Sequence, residues 1–285
     1  EQKLRELKFA DEANYRFSKN IEAFDKYYPD IAKSIAEYQI RDDFCIHVTK
    51  SGHGNFIPRG ENVPLYSDNP LVQTNQQIEK YTKKATFGRT DYTGTQEWES
   101  DDSRLHMQYM QRLSTVLSKV GTNKFTPISS LPKHYPTALI FGVGLGYHIP
   151  ALLKEHSFDY MFICEPDLEL FFASLYCINW FEIIEFFDSQ GACLFLSLGV
   201  NYDEFFDEIY RIANELGSFS AINSFCYQHY PSQKVNELIK SFDKKSLALL
   251  DFKNLDFFIY KGPSMIFLIT SIVNLYLIIK MKNMK

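Results

Sequence analysis

Apolar residues at Leu4, Leu7, Phe9, Ala13, Phe17, Ile21 and Phe24 recur mostly at three- and four-residue steps among charged positions. That spacing lays one apolar stripe along a helix. It predicts helix over residues 2–39, divided at Pro29-Asp30, because proline disfavours helical backbone in the residue before it. The period then changes. In "DFCIHVTKSGHGNFIPRGENVPLYS", short alternating runs such as Phe44-Ile46-Val48 are broken by Gly52, Gly54 and Gly60, which predicts a β-meander of short strands. Helical spacing returns in "NPLVQTNQQIEKYTKKA", with Asn69 or Asp68 as N-cap and Pro70 in the first turn. A polar stretch from Gly88 to Ser103 reads as loop, and residues 104–120 as a further amphipathic helix ending near Gly121.

From Thr137 the pattern is different again. "TALIFGVG", "DYMFICEPD" and "ACLFLSLG" are continuous apolar runs, as in strands covered on both faces, and the segments 147–156, 168–186 and 202–216 carry helical spacing. Strand, helix, strand, helix, strand is the signature of a parallel sheet with right-handed crossovers. Residues 232–251 predict a last amphipathic helix. The fold class expected is therefore α/β: a Rossmann-like parallel sheet over 126–260, preceded by an N-terminal helical and β-meander region over 1–125. An apolar tail over 261–285 follows. Within it, Met265 to Ile279 is 15 residues long, short of the roughly 17 that span a bilayer, so a membrane is not an expected partner.

Composition narrows the class. At 45% hydrophobic and 23% charged, the 285-residue chain can bury a sizeable core. A net charge of −5 argues against a nucleic-acid partner, which usually meets a basic stripe. The five cysteines are scattered, with no CxxC pair, which disfavours a disulfide framework or zinc site and fits a reducing cytoplasm. His47, His53, His106, His134 and His148 lack metal-ligand spacing, so no metal is expected. The carboxylates Asp203, Glu204, Asp207 and Glu208 read as the solvated face of a helix. No GxSxG, HExxH or P-loop gives a hydrolase or kinase reading an anchor, and no catalytic residue is assigned.

The chemistry concentrates at "TALIFGVGLGYHIPALLKEH". Gly142, Gly144 and Gly146 follow an apolar strand and precede a helix. Glycine lets the backbone turn sharply and approach a ligand, and a helix N-terminus offers free N–H groups to an anion. Nineteen residues beyond Gly146 stands Glu165, followed by Pro166 and Asp167, at the distance where dinucleotide folds bond a ribose hydroxyl. Tyr147 replaces the last glycine of GxGxxG, so GxGxG with an acidic second-strand end looks more like an S-adenosylmethionine loop. His148, at the start of the helix, is placed to face a ligand on the glycines. The candidate ligand-binding set is Gly142, Gly144, Gly146, His148, Glu165 and Asp167. A tight strand-to-helix turn with no ligand stays open as the other reading.

Three stretches, "NVPLYSDNPLVQTNQQIE", "LIFGVGLGYHIPALL" and "ICEPDLELFFASLYCINWFEII", together resemble the motility accessory factor (Maf) glycosyltransferases of bacterial flagella. The likeness covers roughly residues 35–260 and is to the Rossmann-like part preceding that family's MptE-like catalytic domain. It implies a cytoplasmic protein working on flagellin, with a CMP-nonulosonic acid (pseudaminic or legionaminic) as donor for transfer to Ser or Thr. Gly262-Pro263-Ser264-Met265 resembles the loop that opens the family's catalytic domain, and an apolar tail follows it. The expectation is an accessory part lacking the transfer domain. The alternatives are an S-adenosylmethionine-dependent methyltransferase and a non-enzymatic domain that binds flagellin or another partner.

Overall fold

A computed structural model describes residues 1–88, 128–216 and 224–240, together with Gln108, Gln111, Arg112, Thr115 and Val116. The chain divides into two compact units. One comprises Glu1–Arg89, Ile128–Ile209 and Ser220–Phe242; the other comprises Thr90–Pro127, Tyr210–Phe219 and Asp243–Lys285. Of the expected helix over 104–120, the five described positions are helical. The expected loop beyond Gly88, the end of the 232–251 helix and the apolar tail lie outside the described residues.

Helix α1 (Gln2–Tyr27) and helix α2 (Pro29–Glu37) meet at Tyr28, whose φ of −139° and ψ of 63° leave the helical region just before the proline. The buried stripe of α1 begins at Phe9 and runs through Ala13, Ala23 and Phe24. Leu4 and Leu7, expected on that stripe, are 73% and 57% exposed.

The expected meander shrinks to one antiparallel pair, β1 (His47–Val48) with β2 (Gly54–Asn55). Side-chain bonds take over from a ladder here. The buried Asn55 donates to the Tyr66 carbonyl at 2.7 Å and accepts from the Phe56 and Tyr66 amides at 2.9 and 3.0 Å. A buried amide side chain thus meets backbone groups that a third strand would have satisfied. Helix α3 (Pro70–Lys83) starts as expected, with Asn69 accepting from the Val72 amide at 3.2 Å.

The sheet contains β3 (Thr86–Gly88), β4 (His134–Phe141), β5 (Ser157–Glu165), β6 (Cys193–Leu198) and β7 (Ser224–Gln228), in the order β3-β7-β4-β5-β6. β7, β4, β5 and β6 are parallel, and β3 pairs antiparallel with β7. The predicted parallel α/β sheet is present. The crossovers are α4 (His148–Leu153), α5 (Leu168–Ser174) with α6 (Trp180–Gln190), and α7 (Tyr202–Leu216); residues 233–240 are helical after β7. On α7, Asp203, Glu204 and Asp207 are exposed as expected, while Glu208 turns inward to accept from the Ser197 hydroxyl at 2.5 Å.

One predicted helix, 168–186, is two. Asn20 of α1, with no exposed surface, donates to the Leu175 and Ile178 carbonyls at 2.8 and 2.9 Å and accepts from the Phe181 amide at 3.0 Å. Arg16 donates to the Tyr176 carbonyl and to Asn179. These groups from α1 satisfy the backbone that the break frees. The centre of the sheet is buried: Ala138 to Phe141 of β4 and Met161 to Glu165 of β5 have little or no exposed surface. No helix among the described residues is long and apolar enough to cross a membrane.

Candidate functional site

The chain runs from β4 to β5 on one side and places β7 on the other side of β4. The carboxyl ends of β4, β5 and β7 therefore converge at a reversal of strand order, the place where open α/β sheets put their ligands. All six candidate residues lie in this neighbourhood.

The glycines take the backbone that only glycine adopts readily: φ is 93° at Gly142, 54° at Gly144 and 80° at Gly146. The turn they make brings the amides of Val143 and Gly144 onto one oxygen of Glu165, at 2.6 and 3.0 Å. The other oxygen accepts from the Asp167 amide at 2.9 Å and from the Tyr230 hydroxyl at 2.6 Å. Glu165 has no exposed surface. Burial pushes its carboxyl up to about 7, against the four hydrogen bonds that favour the charged form.

Side chains of the protein lie over each glycine. A Cβ at Gly142 would stand 2.8 Å from Tyr230 Cε1, and one at Gly144 would stand 2.7 Å from the Tyr66 hydroxyl; one at Gly146 would overlap Ile178. Tyr66 also accepts from the Leu145 amide at 3.1 Å and bonds His229 Nε2 at 2.6 Å. The remaining ring nitrogen of His229 bonds the Tyr227 hydroxyl at 3.1 Å.

His148 sits at the start of α4, a helix of only six residues. Its ring is fully buried and stacks on His229, with centroids 3.7 Å apart and planes 22° from parallel. Neither of its ring nitrogens has a hydrogen-bond partner. Desolvation, then the neighbouring His229, hold it well below its ordinary range, and burial brings His229 down to about 3.

Asp167 is half-buried and caps α5, accepting from the Glu169 amide at 3.0 Å. Beside it Glu169, nearly buried, pairs with Arg41 at 2.9 Å. Asp167 opens on a cleft of ≈ 1470 Å³, whose walls include Tyr38, Arg59, Gly199, Lys234 and Tyr230. Tyr230 is therefore the side chain that touches Glu165 on one side and the cleft on the other. Of the other histidines, His53 bonds Ser51 within its turn and His134 lies near Asp159 at 3.4 Å; His106 is outside the described residues. Among the described residues, no three His, Cys, Asp or Glu side chains are placed to hold a metal ion.

Sequence spacing could not find Tyr66, His229 and Tyr230. Tyr66 stands 79 positions before Leu145 and Tyr230 stands 65 beyond Glu165, with His229 next to Tyr230, in segments that spacing does not connect to the glycines. Only the aromatic run Tyr227-Gln228-His229-Tyr230 offered a signal, in a segment carrying no strand expectation.

A family model for the N-terminal domain of glycosyltransferase Maf matches residues 16–250. Among solved structures, the chain is similar in fold to the Maf glycosyltransferase from Magnetospirillum magneticum AMB-1, with a TM-score of 0.57 and 14% sequence identity. That similarity covers 83% of this chain and 35% of the other, so this chain spans about a third of that protein's length. No curated protein matches.

Proposed function

Because this chain belongs to the Maf glycosyltransferase family, through that family's N-terminal domain, we propose that it is the accessory part of a cytoplasmic enzyme that glycosylates flagellin. In this reading a nonulosonic acid passes from its CMP-sugar to a flagellin Ser or Thr, and the bond-making residues lie outside this N-terminal domain. The observation that carries the accessory role is the closed state of the glycine loop. Two of its amides are taken by Glu165, and Tyr66, Ile178 and Tyr230 lie over its three glycines. A domain handling S-adenosylmethionine along the whole loop would have to displace Tyr66 from Gly144 and Ile178 from Gly146, and not Tyr230 alone, in every cycle, which favours the accessory reading over a methyltransferase.

Deleting the gene and measuring flagellin by intact-mass spectrometry tests the proposal. The expected result is loss of the sugar mass from flagellin, and purified chain alone should transfer no sugar from CMP-nonulosonic acid. Normally glycosylated flagellin in the deletion strain would overturn the flagellin assignment. Transfer by the purified chain would overturn the accessory one.

A further inference from the structure

We infer that the carboxyl end of β5 is a nucleoside site held shut by the chain's own Tyr230, whose phenol occupies the place of a ribose hydroxyl on Glu165. The argument rests on what each group does. Glu165 ends the strand next to the glycine-bearing strand β4, where a doubly wound sheet positions the acceptor for a ribose diol. Three of its four donors are backbone amides, of Val143, Gly144 and Asp167, which fix the carboxylate whether or not a fourth donor is present. That fourth donor is a hydroxyl on a side chain, at 2.6 Å, the length of a charge-assisted O–H···O bond. A ribose hydroxyl has the same chemistry.

The flat ring that carries this hydroxyl lies over Gly142, where the absence of a Cβ leaves room for it. Its other side is a wall of the large cleft. Tyr230 follows the last residue of β7 by two positions, so no strand ladder holds it. Rotation of this side chain would connect Glu165 to the cleft while the loop amides keep their places. The ligand class is a nucleoside with a free 2′,3′-diol. The closed form lowers the apparent affinity of such a ligand by the fraction of chain that is open.

The choice of a cytidine nucleotide as first probe rests on the transferase reading above; the capping of Glu165 does not. The test is calorimetry on the purified full chain with CMP, adenosine and 2′,3′-dideoxycytidine. Tyr230→Ala should bind CMP or adenosine at least about tenfold more tightly than wild type, by removing the closed form. Adding Glu165→Gln to that variant should cancel the gain, and the dideoxy compound should show none. Tyr230→Phe, which keeps the ring and loses the hydroxyl, should gain a smaller factor, and it reports even if the alanine variant fails to fold. No gain in either variant, or a gain equal for the dideoxy compound, overturns the proposal. Tighter binding in Tyr230→Ala together with normal flagellin glycosylation in the deletion strain would keep this site and overturn the flagellin reading.

Discussion

Two buried titratable clusters flank the glycine loop, and they are solved in opposite ways. On the β5 side, Glu165 faces four donors, three of them fixed amides. On the β7 side, His148 stacks on His229 with both of its own nitrogens unpartnered. Burial penalises the charged form in both places. It raises the carboxyl to about 7 and lowers His229 to about 3. The difference lies in what burial leaves behind. The carboxylate is tied to backbone that cannot follow if it is removed, whereas the imidazole of His148 holds nothing by hydrogen bonds. One group organises the loop; the other fills space.

The comparison predicts unequal costs. Glu165→Ala should be the most damaging change, by about 3–5 kcal/mol, since it strands the buried amides of Val143 and Gly144 and removes the acceptor of the half-buried Asp167 amide. Urea unfolding followed by circular dichroism measures it, and a loss under about 1 kcal/mol would contradict the organising role.

Gly146→Ala comes next, at about 2–4 kcal/mol, from a left-handed backbone now carrying a Cβ and from crowding against Ile178. If Ile178→Val recovers part of that loss, crowding contributes; no recovery assigns the whole cost to the backbone.

The pH dependence separates the two clusters. Glu165 has a folded value near 7, above its ordinary 4.5, so the stability it contributes is full below pH 4.5 and is lost as pH rises through 7. The deficit of Glu165→Gln relative to wild type should therefore narrow between pH 4.5 and 8. His229 and His148 are both depressed from 6.5, so what they contribute is present above pH 6.5 and is lost as pH falls, for His229 down to about 3. Thermal unfolding of His148→Leu across pH 3–7 should show a shallower acid limb than wild type. A parallel acid limb would mean that the pair is not what titrates.

At neutral pH the same His148→Leu change should be the mildest of all, within about 1 kcal/mol of wild type. It exchanges an unpartnered buried polar ring for an apolar side chain. A loss above 2 kcal/mol in the same unfolding assay would show that the stacking on His229 holds the loop after all.

The parts of the fold legible in the sequence are those whose cause is local. β4, β5 and β6 announce themselves as apolar runs, β4 and β5 because both their faces are covered along their carboxyl halves. Asn69 and Pro70 mark the start of α3 because a cap acts within one turn. The glycines and Glu165 were likewise findable, because positive φ and the length of one strand-helix-strand unit set their spacing. β3 and β7 were not: three and five residues give too little period to read, and both are defined by pairing with each other and with β4. The break between α5 and α6 was hidden for the same reason, since Asn20, in a different helix, satisfies its backbone.

By itself, then, the sequence determined that a glycine turn and a carboxylate would meet at the end of a parallel sheet. Only the tertiary structure decided that the meeting place is closed. His229 and Tyr230 arrive there from the end of β7, which strand order sets beside β4, and Tyr66 arrives from the segment before α3 and bonds His229 and the Leu145 amide. Spacing along a chain encodes contacts within one unit of secondary structure; what lies over that unit depends on which distant surfaces find it favourable to bury each other.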